Sequence, residues 1–342
     1  MKHLTVLLIL ILWVTASCGC ISHGETGPHE ILITQSDGTT VILPHTAQRI
    51  IVTNSNIVEI LAIMGDTDKI VGAGDAVITN PEIGPLLPEN VTNVGRWIAP
   101  DIETILQLKP DVLIAYSSLK PKNADLIASA GIPILYIDCY KPDTLDQDVR
   151  SLGLLTGDPD GADRYLTLYH SVIDEITERL NAAPNLTRRI VYAENFHDYH
   201  AQGTGSGGDL LIRIAGGTNI MENASGGSAP VVSNEWIVAA DPEVIIKISS
   251  STETMDGPAE YQKLISRTGF SHMTAVTSEN TWIVSAKITY GPRCFIGALA
   301  FAKILHPDLF ADLSLDDLIS RYAAAGFLPD HPREHLVYPD LG

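Results

Sequence analysis

The sequence predicts an α/β fold of two similar lobes, each with a mainly parallel sheet, joined by one long connecting helix. A stretch that begins at Glu103, ETILQLKPDVLIAY, returns 132 residues later as EWIVAADPEVIIKI, which begins at Glu235. In both copies a Glu opens a helical apolar pattern, a Pro ends it, and an aliphatic run typical of a buried parallel strand follows. Between the copies lies one long segment with helical periodicity. The repeat and this segment together indicate two lobes and a helical connection.

Length and charge limit the possible functions. A chain of 342 residues has room for about two domains, and a hydrophobic content of 45% is enough for two cores. The 22 Lys and Arg residues face 41 Asp and Glu residues, which gives a net charge of −19. Such a charge opposes binding to nucleic acid or to an anionic membrane surface. We therefore expect no nucleic-acid partner.

The first 20 residues have the order of an export signal. Lys2 precedes an apolar run from Leu4 to Val14, and small residues follow. The run is too short to span a bilayer stably but suits the apolar region of a secretory signal. We interpret residues 1–20 as a signal peptide or lipoprotein signal, and residues 21–47 as a tether and lead-in. The chain is therefore expected to be exported.

The four cysteines fall into two groups. Cys18 and Cys20 stand where a lipoprotein signal presents its lipidated cysteine, although neither has the usual aliphatic residue three positions earlier. Lipidation at Cys18 or Cys20 is the prediction, and an ordinary cleaved signal is the alternative. Cys139 and Cys294 are far apart in the body of the chain and are either buried thiols or one disulfide.

Residues 48–157 are predicted to form the first lobe. Arg49 opens an aliphatic strand, a polar loop follows, and an apolar helical stripe closes at Gly65. Further aliphatic runs at 70–72, 112–115 and 134–137 predict strands, and residues 124–130 predict a helix before the last of them. This alternation indicates a parallel sheet.

The connection is predicted to be a helix over residues 158–183. Asp158-Pro159 has the form of an N-cap followed by a first-turn proline. Apolar residues then recur at spacings of three and four, at Leu166, Tyr169, Ile173, Ile176 and Leu180. A helix of about 23 residues is roughly 35 Å long, so it can cross the backs of both lobes.

Residues 184–308 repeat the opening of the first lobe. Arg189 starts an aliphatic run, a polar loop with Asn195 follows, and an apolar stripe ends before Gly216. The second copy of the repeated motif then predicts a strand at 244–248. Residues 309–342 are interpreted as a C-terminal extension.

The loops that follow the strands hold the candidate ligand-binding residues. In open parallel sheets a ligand sits beyond the carboxyl ends of the strands, so these loops line the expected cleft. The candidates, taken from loops of both lobes, are Asn54, Ser55, Arg96, Trp97, Tyr116, Tyr140, Asn195, His197, Tyr290 and Arg293.

Two patterns in the second lobe suggest other chemistry only weakly. His197, Asp198 and His200 offer two imidazoles and a carboxylate to a metal, but the first lobe supplies no obvious matching histidine beyond His45. GTGSGG from Gly203 satisfies G-x-G-x-x-G, yet it begins well beyond the end of the predicted strand. It therefore predicts a loop of close approach and no phosphate-binding turn. No protein-bound metal site is predicted.

The order and spacing of several stretches resemble the substrate-binding proteins of iron-complex and cobalamin ABC importers. The resemblance runs roughly from Gln48 to Leu305. It rests on VTNSNIVEILAIMG from Val52, NVGRWIAPDIETILQLKPDVLIA from Asn93, GIPILYID from Gly131, AGGTNI from Ala215 and VVSNEWIVAADPEVII from Val231. It implies two Rossmann-like lobes within one periplasmic-binding domain over residues 48–308.

The resemblance also implies a function. The expected protein is a monomeric, extracytoplasmic receptor that captures an iron chelate of the siderophore type, or a corrinoid, and delivers it to a permease and its ATPase. It has no catalytic activity and no cofactor of its own. It meets the membrane only through a lipid anchor on the outer face of the cytoplasmic membrane. A receptor for bare metal ions and an extracytoplasmic enzyme on the same fold are the alternatives.

Specific roles follow for five residues. In this family an acidic residue on each lobe docks onto the permease, and the matching positions are Glu103 and Glu235. From the residues alone, both are first-turn glutamates that stabilise helix N-termini by about 0.3 to 1 kcal/mol. Trp97 matches a ring that packs on the ligand in cobalamin-binding relatives. Arg96 and Arg293 are expected to meet an anionic chelate through charge-assisted hydrogen bonds.

Overall fold

The computed structural model describes residues 30–250, 255–327 and 336–341. The predicted signal, with Cys18 and Cys20, lies outside the described residues. The strands are β1 (Ile31–Thr34), β2 (Thr40–Leu43), β3 (Ile50–Val52), β4 (Ile70–Ala73), β5 (Thr92–Asn93), β6 (Gly95–Arg96), β7 (Ala99–Pro100), β8 (Val112–Ala115), β9 (Ile134–Tyr136), β10 (Ile190–Glu194), β11 (Thr218–Asn219), β12 (Val244–Ser249), β13 (Thr281–Ser285) and β14 (Val337–Tyr338). The helices are α1 (Ser55–Met64), α2 (Asp75–Ile78), α3 (Ile102–Leu108), α4 (Ala124–Ser129), α5 (Pro142–Thr156), α6 (Pro159–Ala182), α7 (Gly207–Ile214), α8 (Asn234–Ala240), α9 (Gly257–Ile265), α10 (Thr274–Thr277), α11 (Ala286–Thr289), α12 (Cys294–Leu305) and α13 (Leu315–Tyr322).

The first lobe is built on a parallel sheet with the strand order β5-β4-β3-β8-β9. Its central strands β3 and β8 are buried along their whole length, and Ile50 pairs with Val112. Aliphatic side chains on both faces of these strands account for that position, since parallel strands are covered by helices on both sides. The aliphatic runs in the sequence predicted these strands correctly.

The second lobe has a sheet with the order β11-β10-β12-β13-β14. The first four strands are parallel, and β14 pairs with β13 in the antiparallel direction, with Val337 opposite Val284. This edge strand comes from the C-terminal extension, where the sequence predicted none. The expected architecture of two α/β lobes with mainly parallel sheets is confirmed.

Helix α6 joins the lobes and packs on both. Asp158 caps it by accepting a hydrogen bond from the amide of Gly161 at 2.9 Å. Tyr169 donates from its hydroxyl to the carbonyl of Pro142, which begins α5 of the first lobe, at 3.0 Å. Tyr165 donates to the carbonyl of Pro292 in the second lobe at 2.5 Å. The helix is therefore fixed to each lobe by a buried tyrosine.

The repeated motif has the same local structure in both lobes. Helices α3 and α8 each have seven residues and a side-chain N-cap, Asp101 in one and Ser233 in the other. Each ends at a residue in the left-handed conformation, Lys109 with φ 47° and Asp241 with φ 41°. A left-handed residue followed by a proline stops the helix and turns the chain into the next strand.

The acidic residue after each proline ties this turn to the first strand of its lobe. Asp111 accepts hydrogen bonds from the amides of Gln48 at 2.7 Å and Arg49 at 2.9 Å. Glu243 accepts one from the amide of Ile190 at 2.7 Å. Both carboxylates therefore satisfy backbone donors at the start of a central strand, which gives this part of the motif a structural reason.

The part of the chain before the first lobe contains a hairpin that the sequence did not predict. Strands β1 and β2 pair in the antiparallel direction, and the buried Ile33 faces the core. One continuous cluster of buried apolar residues extends from Ile50 in the first lobe through Tyr165 of α6 to Val284 in the second lobe. Among the described helices, none is both long and apolar enough to cross a membrane.

Candidate functional site

A cavity of about 420 Å³ lies at the carboxyl ends of the first-lobe strands. Its wall consists of residues from the loops and helix starts that follow β3, β4, β8 and β9 and from the turn between β6 and β7. This is the edge of the sheet at which a parallel α/β fold is expected to hold a ligand. The lining residues are Thr53, Ser55, Ala76, Val77, Trp97, Tyr116, Ser118, Leu119 and Tyr140.

Trp97 reaches the cavity from the turn of a short hairpin. Strands β6 and β7 leave two residues, Trp97 and Ile98, between them. The turn is set by Gly95, whose φ of 82° favours glycine, and Asn93 accepts a hydrogen bond from the Gly95 amide at 2.7 Å. The Trp97 ring meets Tyr116 edge-on, with centroids 5.6 Å apart and planes at 76°. Each ring thus holds the other in the wall.

Tyr140 and Tyr290 form a stack that connects the two lobes beside the cavity. Their centroids are 5.0 Å apart and their planes differ by 14°. The amide of Gly291 donates to the carbonyl of Tyr140 at 2.9 Å, and Gln202 donates from Nε2 to the Tyr290 hydroxyl at 2.9 Å. A Cβ at Gly207 would lie 2.8 Å from the Tyr290 ring. Glycine is therefore needed where this ring rests on the backbone.

That glycine belongs to GTGSGG, in which several other amides have partners within the chain. Gly208 donates its amide to Gln202 Oε1 at 3.1 Å, and Gly205 donates to Asp209 Oδ2 at 2.9 Å. Ser206 caps α7 by accepting from the amide of Asp209 at 3.1 Å. These donors are used by side chains of the protein, which agrees with the prediction of a loop of close approach.

The phenols of the cavity wall are uncharged over the usual pH range. Burial raises the pKa of Tyr140 to about 12. Burial also raises the pKa of Tyr116, more than its hydrogen bond with Ser55 lowers it. Both side chains therefore remain hydroxyl groups that can donate a hydrogen bond to a bound molecule.

Five of the candidate residues are brought together by the structure. Ser55, Trp97, Tyr116 and Tyr140 line the cavity, and Tyr290 stacks on Tyr140 from the other lobe.

Five lining residues were not named from the sequence: Thr53, Ala76, Val77, Ser118 and Leu119. The same rule would have found them, because all five lie just after strands β3, β4 or β8.

Asn54, a candidate for ligand contact, has a structural role in the protein. It is fully buried and caps α1 by accepting from the amide of Asn56 at 2.9 Å. Its Nδ2 donates to the carbonyls of Asp138 at 2.9 Å and Ile137 at 3.3 Å. The side chain thus joins the loops after β3 and β9, and its contact with a ligand stays a prediction.

Arg293 is likewise committed within the protein. Its Nε donates to Glu59 at 2.6 Å and its Nη1 to Glu82 at 2.8 Å, both carboxylates of the first lobe. Lys287 also contacts Glu82, at 2.7 Å, and the hydroxyl of Tyr322 donates to Glu59 at 2.8 Å. Burial opposes the charge on Arg293, but the attraction of Glu59 outweighs it and raises the pKa. Contact of this guanidinium with an anionic chelate stays a prediction, and the ligand would share Arg293 with Glu59 and Glu82.

The remaining candidates lie outside the cavity wall. Arg96 is exposed beside Trp97 on the hairpin. Asn195 follows β10 in the second lobe and accepts a hydrogen bond from the amide of His197 at 2.8 Å. His197 is exposed, and its ring lies 4.5 Å from Phe196 and 5.4 Å from His200, centroid to centroid. Their roles in binding stay predictions.

The carboxylate of the HDYH segment is held by ion pairs. Asp198 lies 3.1 Å from Lys247, 3.0 Å from Arg267 and 2.8 Å from Lys263. Glu194, fully buried at the end of β10, accepts from Lys247 at 2.6 Å and from both terminal nitrogens of Arg267 at 2.8 and 2.9 Å. Across the part of the chain that the structure describes, no group of three His, Cys, Asp or Glu side chains has the arrangement of a metal site.

The two body cysteines are free thiols. Cys139 and Cys294 are both fully buried and do not form a disulfide. Burial raises the pKa of each thiol, which makes both unreactive.

Glu103 and Glu235 occupy the same position in their two helices, the second residue after the N-cap. Both side chains are exposed. A hydrogen bond with its own amide and another with Ser233 lower the pKa of Glu235. Each glutamate therefore presents a negative charge at the start of a helix that faces solvent, once on each lobe.

Comparison with known proteins shows what this chain is similar to. The model of the periplasmic binding protein family matches residues 50–283. The vitamin B12-binding protein of Yersinia pestis (strain Pestoides F) is 27% identical over 221 residues, which are 63% of this chain and 74% of that protein. The vitamin B12-binding protein of Pectobacterium atrosepticum is 23% identical over 233 residues, which are 66% of this chain and 80% of that protein.

Solved structures share the fold. A periplasmic solute binding protein from Veillonella parvula DSM 2008 has a TM-score of 0.68 at 23% identity, covering 90% of this chain and 96% of that chain. The molybdate periplasmic binding protein MolA of Haemophilus influenzae has a TM-score of 0.68 at 20% identity, covering 87% and 98%. At such identities these similarities establish the architecture alone.

Proposed function

Because the chain belongs to the periplasmic binding protein family, we propose that it is the substrate-binding protein of an ABC importer and captures a metal chelate. The family match implies an extracytoplasmic location. The observation that carries the proposal is the cavity at the carboxyl ends of the first-lobe strands, with Trp97, Tyr116 and Tyr140 in its wall. Aromatic walls of this kind bind the large apolar faces of an organic chelate.

The chelate is a corrinoid or an iron complex of the siderophore type. The vitamin B12-binding relatives support a corrinoid. The ordinary hydroxyl groups of Ser55 and Tyr140 can donate to amide or hydroxamate oxygens on either kind of ligand. The protein binds and releases this ligand without converting it.

Delivery requires contact with a two-fold symmetric permease, which receives its energy from an ATPase. We assign this contact to Glu103 and Glu235. Their matching place in α3 and α8, and their exposure, supply one negative charge per lobe for a basic partner surface. The protein acts as a monomer, held near the permease by a lipid on Cys18 or Cys20.

Calorimetric titration of the purified protein tests this proposal. The ligands are cobalamin, haem, several ferric siderophores and free metal ions, each titrated separately. We expect one chelate to bind with a dissociation constant in the micromolar range or below, about −8 kcal/mol or better. Binding to a bare divalent ion alone, or to none of the chelates, would contradict the proposal.

A further inference from the structure

The wall of the cavity contains no charged side chain. Its nine lining residues are three aromatic residues, three aliphatic residues and three serines or threonines. The phenols of Tyr116 and Tyr140 stay neutral because burial raises their pKa. Hydroxyl groups can donate hydrogen bonds to the oxygen atoms of a ligand. They do not neutralise the net charge of an ionic ligand that loses its hydration when it binds.

The cations that join the lobes are already neutralised. Arg293 and Lys287 of the second lobe face Glu59 and Glu82 of the first lobe at 2.6 to 2.8 Å. Two positive charges therefore meet two negative ones. An anionic ligand would have to compete with carboxylates that are partly or fully buried beside these cations.

The charge cluster of the second lobe is nearly balanced as well. Lys247 and Arg267 pair with the buried Glu194, and Asp198 contacts both of these cations. The surplus charge is that of Lys263, whose side chain is 68% exposed and lies 2.8 Å from Asp198. Solvent and salt screen a charge in such a position.

The charged residues next to the lining residues in the sequence sum to a net charge of only +1. Within two positions of a lining residue the sequence has three cations, Arg96, Lys120 and Lys141, and two carboxylates, Asp75 and Asp138. Lys120 lies over the ring of Tyr136 at 4.5 Å. This rim belongs to a molecule with a net charge of −19, which repels anions at long range.

We propose that the cleft selects chelates without net negative charge and discriminates against strongly anionic chelates of the same metal. The inference rests on the proposed function, because it specifies which chelates that receptor accepts. Neutral corrinoids and ferric tris-hydroxamates fall in the accepted class. Ferric tris-catecholates, which carry three negative charges, fall in the excluded class.

Matched pairs of chelates test this selectivity. The purified protein is titrated in a calorimeter with a ferric tris-hydroxamate and a ferric tris-catecholate, and with a neutral corrinoid and the same corrinoid after hydrolysis of side-chain amides to carboxylates. We expect the neutral member of at least one pair to bind at least tenfold more tightly. An anionic member that binds as tightly as its neutral partner, or more tightly, overturns the charge inference alone. If the protein binds none of these chelates, both the charge inference and the proposed function are wrong.

A charge added to the wall provides the second measurement. Ser118→Lys places a cation on a lining loop, and Ser129→Lys places the same charge on the exposed surface of α4. We expect Ser118→Lys to raise the affinity for the catecholate relative to the hydroxamate severalfold, and Ser129→Lys to leave that ratio unchanged. Equal ratios in both variants and the parent protein would contradict an uncharged wall as the source of selectivity.

Discussion

Trp97 is the side chain through which the wall is expected to contribute most to ligand affinity. Its ring lies in the cavity wall and is positioned by Tyr116. We expect Trp97→Ala to weaken chelate binding by about 1–3 kcal/mol, roughly 5- to 150-fold, because an aromatic stacking surface is lost. Trp236→Ala removes a ring that is 38% exposed on α8 and serves as the matched control. Titration calorimetry of both variants measures the loss of affinity. Equal affinities of the two variants would show that the ligand does not bind against this wall.

Arg293 is expected to act on stability. Arg293→Ala leaves Glu59 buried without its closest cation, which typically costs about 3–5 kcal/mol of unfolding free energy. Arg150→Ala breaks an exposed pair with Asp146 and should cost at most about 1 kcal/mol. Urea unfolding of the two variants measures the difference. A loss of chelate affinity at unchanged stability would instead assign the guanidinium to the ligand.

Asp148 gives the stability a specific pH dependence. Burial raises its pKa from 3.8 to about 6, against hydrogen bonds from Ser36 at 2.7 Å and from the Cys139 amide at 2.9 Å. At a pH between these two pKa values, Asp148 is protonated in the folded protein and ionised in the unfolded chain. The free energy of unfolding therefore falls as pH rises from about 4 to 6. The fall is on the order of 3 kcal/mol.

Asp148→Asn should remove this slope, because the amide cannot titrate and the Ser36 hydroxyl can accept where it formerly donated. Denaturant unfolding at several pH values between 4 and 7 measures it, with the exposed Asp146→Asn as control. The same slope in Asp148→Asn and the parent protein would show that another group is responsible.

At single positions the sequence predicted the site in part. The rule that ligands sit after parallel strands found Ser55, Trp97 and Tyr116 because it depends on chain order alone. It did not separate Ser55 from Asn54, although an asparagine before a helical stripe is also an N-cap signal. The partner of Arg293 lies 234 positions away, so no local pattern could reveal that this cation is already paired.

At the scale of elements, α3 and α8 provide the matched test of docking. We expect Glu103→Lys and Glu235→Lys each to weaken capture by the permease severalfold while chelate affinity changes little, because both glutamates are exposed at helix starts away from the cavity wall. Glu178→Lys, on the exposed side of α6, makes the same change of charge elsewhere. Capture on permease in lipid nanodiscs gives the readout. A large loss of chelate affinity in both docking variants would place these residues in the cleft.

The same elements show where sequence patterns succeed. The helix, proline and strand of the motif were predictable in both lobes because each feature is local: an apolar period, a proline, and an aliphatic run. Strand β14 could not be predicted, because two residues are too few to show an alternating pattern. Its pairing with β13 also joins distant parts of the chain. The hairpin of β1 and β2 lies in the stretch assigned to the lead-in, where the sequence predicted no strand.

For the whole molecule, the connection between the lobes predicts a cleft that is largely formed before binding. Besides α6, the Glu59–Arg293 pair and the hydrogen bond from Tyr322 of the C-terminal extension join the lobes. The periodic stripe predicted the helix, whereas these additional contacts depend on side chains brought together by the fold. A large closure requires a few residues that absorb a backbone rotation, and a packed helix does not offer them.

Small-angle scattering with and without saturating chelate measures this directly. We expect the radius of gyration to change by less than about 1 Å, as is common for preorganised binding sites. A substantial fall on saturation would show that the lobes close as a clamshell, in spite of the contacts between them.

The capture of an intact chelate is tested most directly by recovery of the ligand. The protein is saturated with the chelate that binds best, separated from free ligand, denatured, and its released ligand identified by mass spectrometry. We expect one unchanged chelate molecule per protein molecule. Release of a chemically altered product, or of the bare metal ion without its organic part, would contradict a receptor that binds the whole chelate and delivers it without catalysis.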